Sequence, residues 1–217
     1  MAMATTDSDE TRDLLGRAAA GDSAAWGDLL TRHQDRLRRV VAFRLDPRVR
    51  ARIDPSDVLQ DVFAEAAGHR TDYLARRDVP FFLWLRGIVG NKLLELHRHH
   101  LRTQIRDARR EVSLQHGGLP ETTSAALAAQ LLGQATGPSE AAVRAEARLR
   151  LQETLNAMDP LDREVLALRH FEQLSPTETA QVLGIKTKTA GSRYLRALKK
   201  LREILAGLPG NGGDLLP

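Results

Sequence analysis

Between Lys186 and Arg202 the chain places seven basic residues and no acidic one: Lys186, Lys188, Arg193, Arg196, Lys199, Lys200 and Arg202. Lys and Arg at this density suit phosphate neutralisation, which displaces condensed counterions from a nucleic acid. An arginine among them can also read guanine O6 and N7, while Ser192 and the lysines position a backbone. A second constellation, Asp57, Gln60, Asp61 and Glu65, makes one acidic and amide side of a helix, the complement of a basic protein surface. A third pairs Trp84 with Asn91, two turns apart, so that an aromatic platform and an amide share a face. A solvated helix face is the plainer explanation of any one of these, and Trp84 suits a core as well as it suits a base.

The elements that must carry these residues are helical. Asp159-Pro160-Leu161-Asp162 and Ser175-Pro176-Thr177-Glu178 are two helix starts of one construction, a cap followed by proline, and the second is also a capping box. Val165, Leu166, Leu168 and Phe171 are the apolar positions of the helix between them. A short helix then runs from Pro176 to Leu183 and stops at Gly184. A third begins near Thr187, with Tyr194, Leu195, Leu198, Leu201 and Ile204 at helical spacing. Helix, short helix, glycine turn and longer basic helix make a helix-turn-helix pattern.

Upstream, helices are expected over Thr11–Ala20, from a cap at Asp22 or Ser23, from Asp54-Pro55, and from Pro80. The second has the stripe Trp26, Leu29, Leu30, Leu37, Val40 and Val41, opposite a basic face of Arg32, Arg36, Arg38 and Arg39. The third buries Val58, Leu59, Val62, Phe63 and Ala66, and the fourth Phe81, Leu85, Ile88, Val89 and Leu96. Residues 45–57 read as a connector, and 113–140, broken by glycines and prolines, as a flexible linker with one helical turn around Ala125–Leu132. Residues 1–10 and 208–217 are expected to be disordered ends.

With 217 residues, a net charge of +4 and a pI near 9.8, the chain tolerates a polyanion without demanding one. Zero cysteines exclude disulfides, thiolate metal sites and a cysteine nucleophile. His97, His99, His100 and His116 lie near one another, and His97 and His100 are three apart, yet no further ligand has metal-site spacing, so no metal is expected. There is no glycine-rich phosphate loop, no HExxH and no nucleophile–base pattern, so neither an enzyme nor a cofactor is expected. No apolar run approaches a membrane span, and the start lacks signal-peptide regions, so a cytoplasmic location is expected.

Taken in order, AAAGDSAAWGDLL, DPSDVLQDVFAEA, PFFLWLRGIVGN and LDREVLALRHFEQLSPTETAQVLGIKTKTAGSRYLRALKKLR resemble bacterial RNA polymerase sigma factors of the extracytoplasmic-function type, in the sigma-70 superfamily. The resemblance implies an all-α chain of two small helical domains: sigma region 2 over 11–112 and a region 4 helix-turn-helix over 141–207. It implies a transcription initiation factor that binds core RNA polymerase and directs it to −10 and −35 promoter elements. By position, Asp57, Gln60, Asp61 and Glu65 would meet core polymerase. Trp84, Asn91, Lys92, Arg98 and Arg102 would hold an opened −10 element. Lys186, Lys188, Ser192, Arg193, Arg196 and Lys199 would hold the −35 element, although Gly191 stands where the family commonly has a basic residue. Members are usually held inactive by an anti-sigma factor, which the resemblance adds to polymerase and promoter DNA as a partner. The competing reading is a stand-alone helix-turn-helix regulator whose N-terminal helices sense a ligand or dimerise.

Overall fold

The cap chemistry read from the sequence is what starts the helices. The computed structural model describes residues 7–50, 52–101, 123–133 and 141–206, and among them there are helices and connections but no strand. Helix α1 (Asp9–Ala19) is capped by Ser8, and α2 (Ser23–Arg44) by Asp22, whose carboxylate accepts from Ala24 N at 2.9 Å and Ala25 N at 3.1 Å. The connector contains one helical turn, α3 (Pro47–Arg50). Asp54 caps α4 (Pro55–Gly68), with proline in the first helical positions where no N–H is needed. A further short helix, α5 (Arg70–Arg76), had no counterpart in the sequence reading; its apolar signal is little more than Tyr73 and Leu74. The long helix α6 runs over Phe81–Leu101.

Residues 124–133 depart from the expected linker. They form α7 (Ser124–Gly133), with Leu127 and Ala128 fully buried, rather than a single turn. Ala, Leu and Gln at these positions are good helix formers, and the flanking glycines and prolines hid the short run. Helix α7 packs on α8 (Ala141–Asn156), and Leu127, Leu131, Leu151, Leu155 and Met158 share one core with Leu166 and Ala197.

The helix-turn-helix has the predicted construction. Helix α9 (Pro160–Leu166) starts at Asp159, which accepts from Leu161 N at 2.8 Å, and continues as a π-type turn over Ala167–Phe171. Helix α10 (Pro176–Leu183) has both halves of its capping box: Glu178 N donates to Ser175 Oγ at 3.1 Å, and Ser175 N donates to Glu178 Oε2 at 2.7 Å. Gly184 closes it at φ +63°, a left-handed conformation that glycine adopts without a Cβ clash. The last helix, α11, spans Thr187–Ala206.

Two apolar clusters hold these elements. The larger joins Leu29, Leu37, Val40, Val62, Phe81, Leu85 and Val89 of the N-terminal helices to Val165, Leu168, Leu174 and Leu183 of the C-terminal ones. The smaller receives Phe43 from α2, which stacks on Phe171 at 4.9 Å and 16°. The two halves therefore pack directly on each other.

Candidate nucleic-acid and polymerase interfaces

On α11 the helical period sorts the residues. Tyr194, Ala197, Leu198 and Leu201 turn inward, whereas Lys188, Ser192, Leu195 and Lys199 make one exposed stripe. Leu195, expected on the apolar face, is 68% exposed, because it lies one residue past the inward row. Lys186 is exposed in the turn before α11. Arg169 lies over the Tyr194 ring at 5.0 Å, so Tyr194 belongs to the packed side. A Cβ built on Gly191 would meet nothing within 4 Å, so the protein itself does not require glycine there.

Arg193 and Arg196 are not loose on this surface. Asp162, in the first turn of α9 and almost fully buried, receives Arg193 Nη1 at 2.6 Å. It also receives Arg196 Nε and Nη2, each at 2.7 Å. Burial raises the Asp162 pKa, but the hydrogen bonds from Arg196 and Arg193 outweigh it, and the carboxyl ends below its ordinary value. Charge-assisted contacts of this kind fix direction as well as energy, so one carboxylate aims two guanidiniums. The sequence reading took Asp162 for a helix-start residue and missed this second use, which only the tertiary fold creates.

The acidic constellation lies on the outer side of α4: Asp57, Gln60, Asp61 and Glu65 are all exposed. Beside it, Leu30, Thr31 and Gln34 of α2 face Leu59, Gln60 and Phe63 of α4 across a groove of about 380 Å³. Apolar walls with amides at the rim suit a protruding side chain from a protein partner.

On α6, Asn91 is exposed and Trp84 half-buried. Trp84 stacks on Tyr73 at 4.4 Å and 25°, and meets Trp26 edge-on at 6.0 Å. Its ring is thus part of an aromatic wall, and the residue is half-buried. Lys92 is held by Asp61 at 3.0 Å and Glu95 at 3.5 Å, and the Asp61 hydrogen bond raises its pKa. Residues assigned to two different partners are here paired with each other. Arg98 is exposed and donates to Leu94 O at 3.3 Å, while Arg102 lies outside the described residues.

Of the histidines, His97 accepts a hydrogen bond from Asp46 N at 3.2 Å through Nε2, which ties α6 to the α2–α3 connection. Among the described residues no group of three His, Asp or Glu could hold a metal ion. His116 lies outside them, as do the end at 208–217 and the linker residues 113–122 and 134–140. Of the end expected to be disordered over 1–10, residues 1–6 also lie outside, but Ser8 caps α1 and residues 9 and 10 form its first turn. No helix among the described residues is long and apolar enough to cross a membrane.

A helix-turn-helix with an exposed cationic stripe, joined to helices bearing an exposed acidic row beside an apolar groove, is an architecture that known proteins share. Residues 148–201 match the family described as Sigma-70, region 4. The chain is 31% identical over 197 residues to the RNA polymerase sigma factor CnrH of Cupriavidus metallidurans, covering 91% of this chain and 95% of that one. It is likewise 31% identical over 201 residues to the RNA polymerase sigma factor NccH of Alcaligenes xylosoxydans xylosoxydans, covering 92% and 97%. The ECF RNA polymerase sigma factor SigD of Mycobacterium tuberculosis is 29% identical over 194 residues, 89% of this chain and 83% of that one. The solved structure of CnrH in complex with the cytosolic domain of CnrY superposes with a TM-score of 0.51 at 28% identity, covering 91% of this chain and 98% of that one. The chain belongs to the sigma-70 family, in its extracytoplasmic-function group, and is a transcription initiation factor. Its relatives are regulatory factors rather than enzymes.

Proposed function

We propose that this factor works through two separate grips, one on each promoter element, with core RNA polymerase bound to the N-terminal helices. Asp57, Gln60, Asp61 and Glu65, with the groove between α2 and α4, form the polymerase seat. Trp84 and Asn91 meet the opened −10 strand, the ring as a stacking wall and the amide as a hydrogen-bonding group. Lys92, Arg98 and Arg102 follow the adjoining phosphates. Lys188, Ser192 and Lys199 face the −35 groove, Lys186 reaches its edge, and Arg193 and Arg196 are aimed by Asp162. The factor makes and breaks no bond; it acts in the cytoplasm, where polymerase and promoter meet. A relative has been seen bound to a cytosolic partner domain, which supports an inhibitory protein partner here as well.

The observation that carries this reading is the exposed cationic stripe of α11 with two arginines oriented by one buried carboxylate. Transcription from a randomised promoter library, with the chain and core polymerase together and apart, tests it. The reading expects enriched −10 and −35 sequences only when both are present, and Asp61→Arg to abolish co-purification with core while leaving the helical signal intact. Tight, sequence-specific binding of duplex promoter by the chain alone would instead identify a free-standing regulator.

A further inference from the structure

The first turn of α6 is closed from the far end of the chain. Pro80 precedes the helix, and its carbonyl accepts the first intrahelical bond, from Trp84 N at 3.0 Å. Proline has no side-chain oxygen, so it cannot cap as Asp22, Asp54 and Asp159 do. Asp78, the acid nearest in sequence, is exposed. Phe81 N instead donates to both carboxylate oxygens of Asp7, at 3.0 and 3.2 Å, across 74 residues of chain. Phe81 is fully buried, so without Asp7 this N–H would lose its partner in a place poor in water. The carboxylate also faces the positive end of the α6 dipole.

Asp7 is itself held. It stands just before Ser8, the cap of α1, and Arg12 Nε of α1 donates to its carbonyl at 3.3 Å. Arg77, which ends α5 in a left-handed conformation at φ +48°, donates to Leu15 O of α1 at 3.0 Å. Tyr73 OH donates to Val79 O at 3.1 Å and fixes the middle of the connection into α6. The Tyr73 ring lies 5.4 Å from that of Phe81 and carries Trp84 stacked on its face. Burial raises the pKa of its phenol, and the negative charge of Asp7 raises it further. The approach to α6 is thus tied to α1, α5 and the residue before α1.

We propose that Asp7 is a positioning residue for the −10 strand: its carboxylate holds the first turn of α6 so that Trp84 stands ready as a stacking wall. Trp84 lies one turn into α6, and its N–H makes the bond that closes the turn Asp7 supports. If this turn frays, Pro80 O releases Trp84 N, and the ring loses the backbone that seats it on Tyr73. A stacking platform binds best when it is ordered before the base arrives, because ordering it on binding subtracts from affinity. Asp7 touches no base in this arrangement, and it lies outside the four segments that carry the family resemblance. The inference rests on the reading of Trp84 as part of the −10 grip.

The full chain, reconstituted with core polymerase on a promoter recovered from the randomised library, tests this. 2-Aminopurine in the −10 non-template strand reports opening, and filter binding in the cold reports closed-complex formation. Asp7→Ala should lower the opening equilibrium about fivefold, the usual worth of a helix cap. Core affinity and closed-complex formation should stay as they are. Asp7→Asn keeps an acceptor oxygen and loses only the charge, so it should open promoters nearly as well as the parent chain. A double-mutant cycle supplies the readout that a general loss of stability would not move. In a Trp84→Ala chain, itself defective in opening, Asp7→Ala should add nothing, because Asp7 acts through the ring. Circular dichroism checks that the helices persist; if Asp7→Ala loses them, Asp7→Ser, one bond shorter than aspartate, takes its place in the cycle. Normal opening by Asp7→Ala beside a defective Trp84→Ala overturns the inference, and so does an additive loss in the double variant. Equal falls in closed-complex formation and opening overturn it too, since they mark a general loss of stability. Failure of the −10 reading looks different: Trp84→Ala would then open promoters normally, and the inference would fall with that reading.

Discussion

His33 offers a quantitative test of how the N-terminal helices are packed. Its ring lies 5.5 Å from that of Phe81 and 5.8 Å from that of Phe82, on the α2 face that meets α6. Burial first, then the positive charges of Arg36 and Arg32, lower its pKa from 6.5 to about 4. The unfolded chain, with the ordinary value, takes up this proton first as the pH falls. Stability from His33 is thus complete above pH 6.5, declines as the pH drops, and is lost by about pH 4, where the folded ring also protonates. At 1.36 kcal/mol per pKa unit the full loss is about 3 kcal/mol, of which about 2.5 kcal/mol has gone by pH 4.5. Urea unfolding of the full chain, followed by circular dichroism near neutrality and at about pH 4.5, reads this directly. His33→Leu keeps an apolar group of similar size between the two phenylalanines and removes the titration. Carboxylates titrate equally in both proteins, so the acid-induced loss should be smaller in the variant by about 2.5 kcal/mol. Equal losses in the two proteins would show that His33 is hydrated and that the aromatic wall does not exclude water from it.

Two further substitutions probe the C-terminal half. Asp162→Asn should lower stability by about 1 kcal/mol, a modest figure because both arginines keep contact with water. The same change should weaken −35-dependent promoter binding by holoenzyme, since Arg193 and Arg196 lose their common anchor; unaltered binding in a filter assay would show that Asp162 does not position them. Ser175→Ala removes one side of the capping box and should cost about 1 kcal/mol in urea unfolding. Because Glu178 also accepts from Ser175 N and from Arg36, the same variant tests whether the box supports the contact between the halves. A loss of hydrogen-exchange protection confined to α10, with α2 unchanged, would separate the two roles.

What the sequence disclosed depends on whether a signal is local. Caps are local: Asp22, Asp54, Asp159 and Ser175 start the helices expected of them, and Gly184 ends α10. The exposed cationic stripe of α11 and the exposed acids of α4 follow from period alone. Leu195 was misplaced because a row of apolar residues at 194, 195, 198 and 201 is wider than the packed face. Helix α7 was hidden because glycines and prolines on both sides dominate a window that contains only ten helical residues. Pairings between distant segments left no local trace, and Asp162 with Arg193 and Arg196 is of that kind.

The charged contact between the halves, by contrast, did leave a mark that period exposes. Arg44 lies on the α2 row defined by Leu37, Val40 and Val41, and Arg86 on the α6 row of Phe82, Val89 and Leu93. A guanidinium placed on an apolar row must either snorkel to the surface or find a buried carboxylate, because an unpaired charge there would be prohibitively costly. Both arginines are buried, so the acids that answer them must come from another part of the chain. Glu164 beside Val165, and Glu172 beside Phe171, are the acids on C-terminal apolar rows that satisfy this condition. Charges of opposite sign stranded on two apolar faces therefore identify surfaces that meet each other.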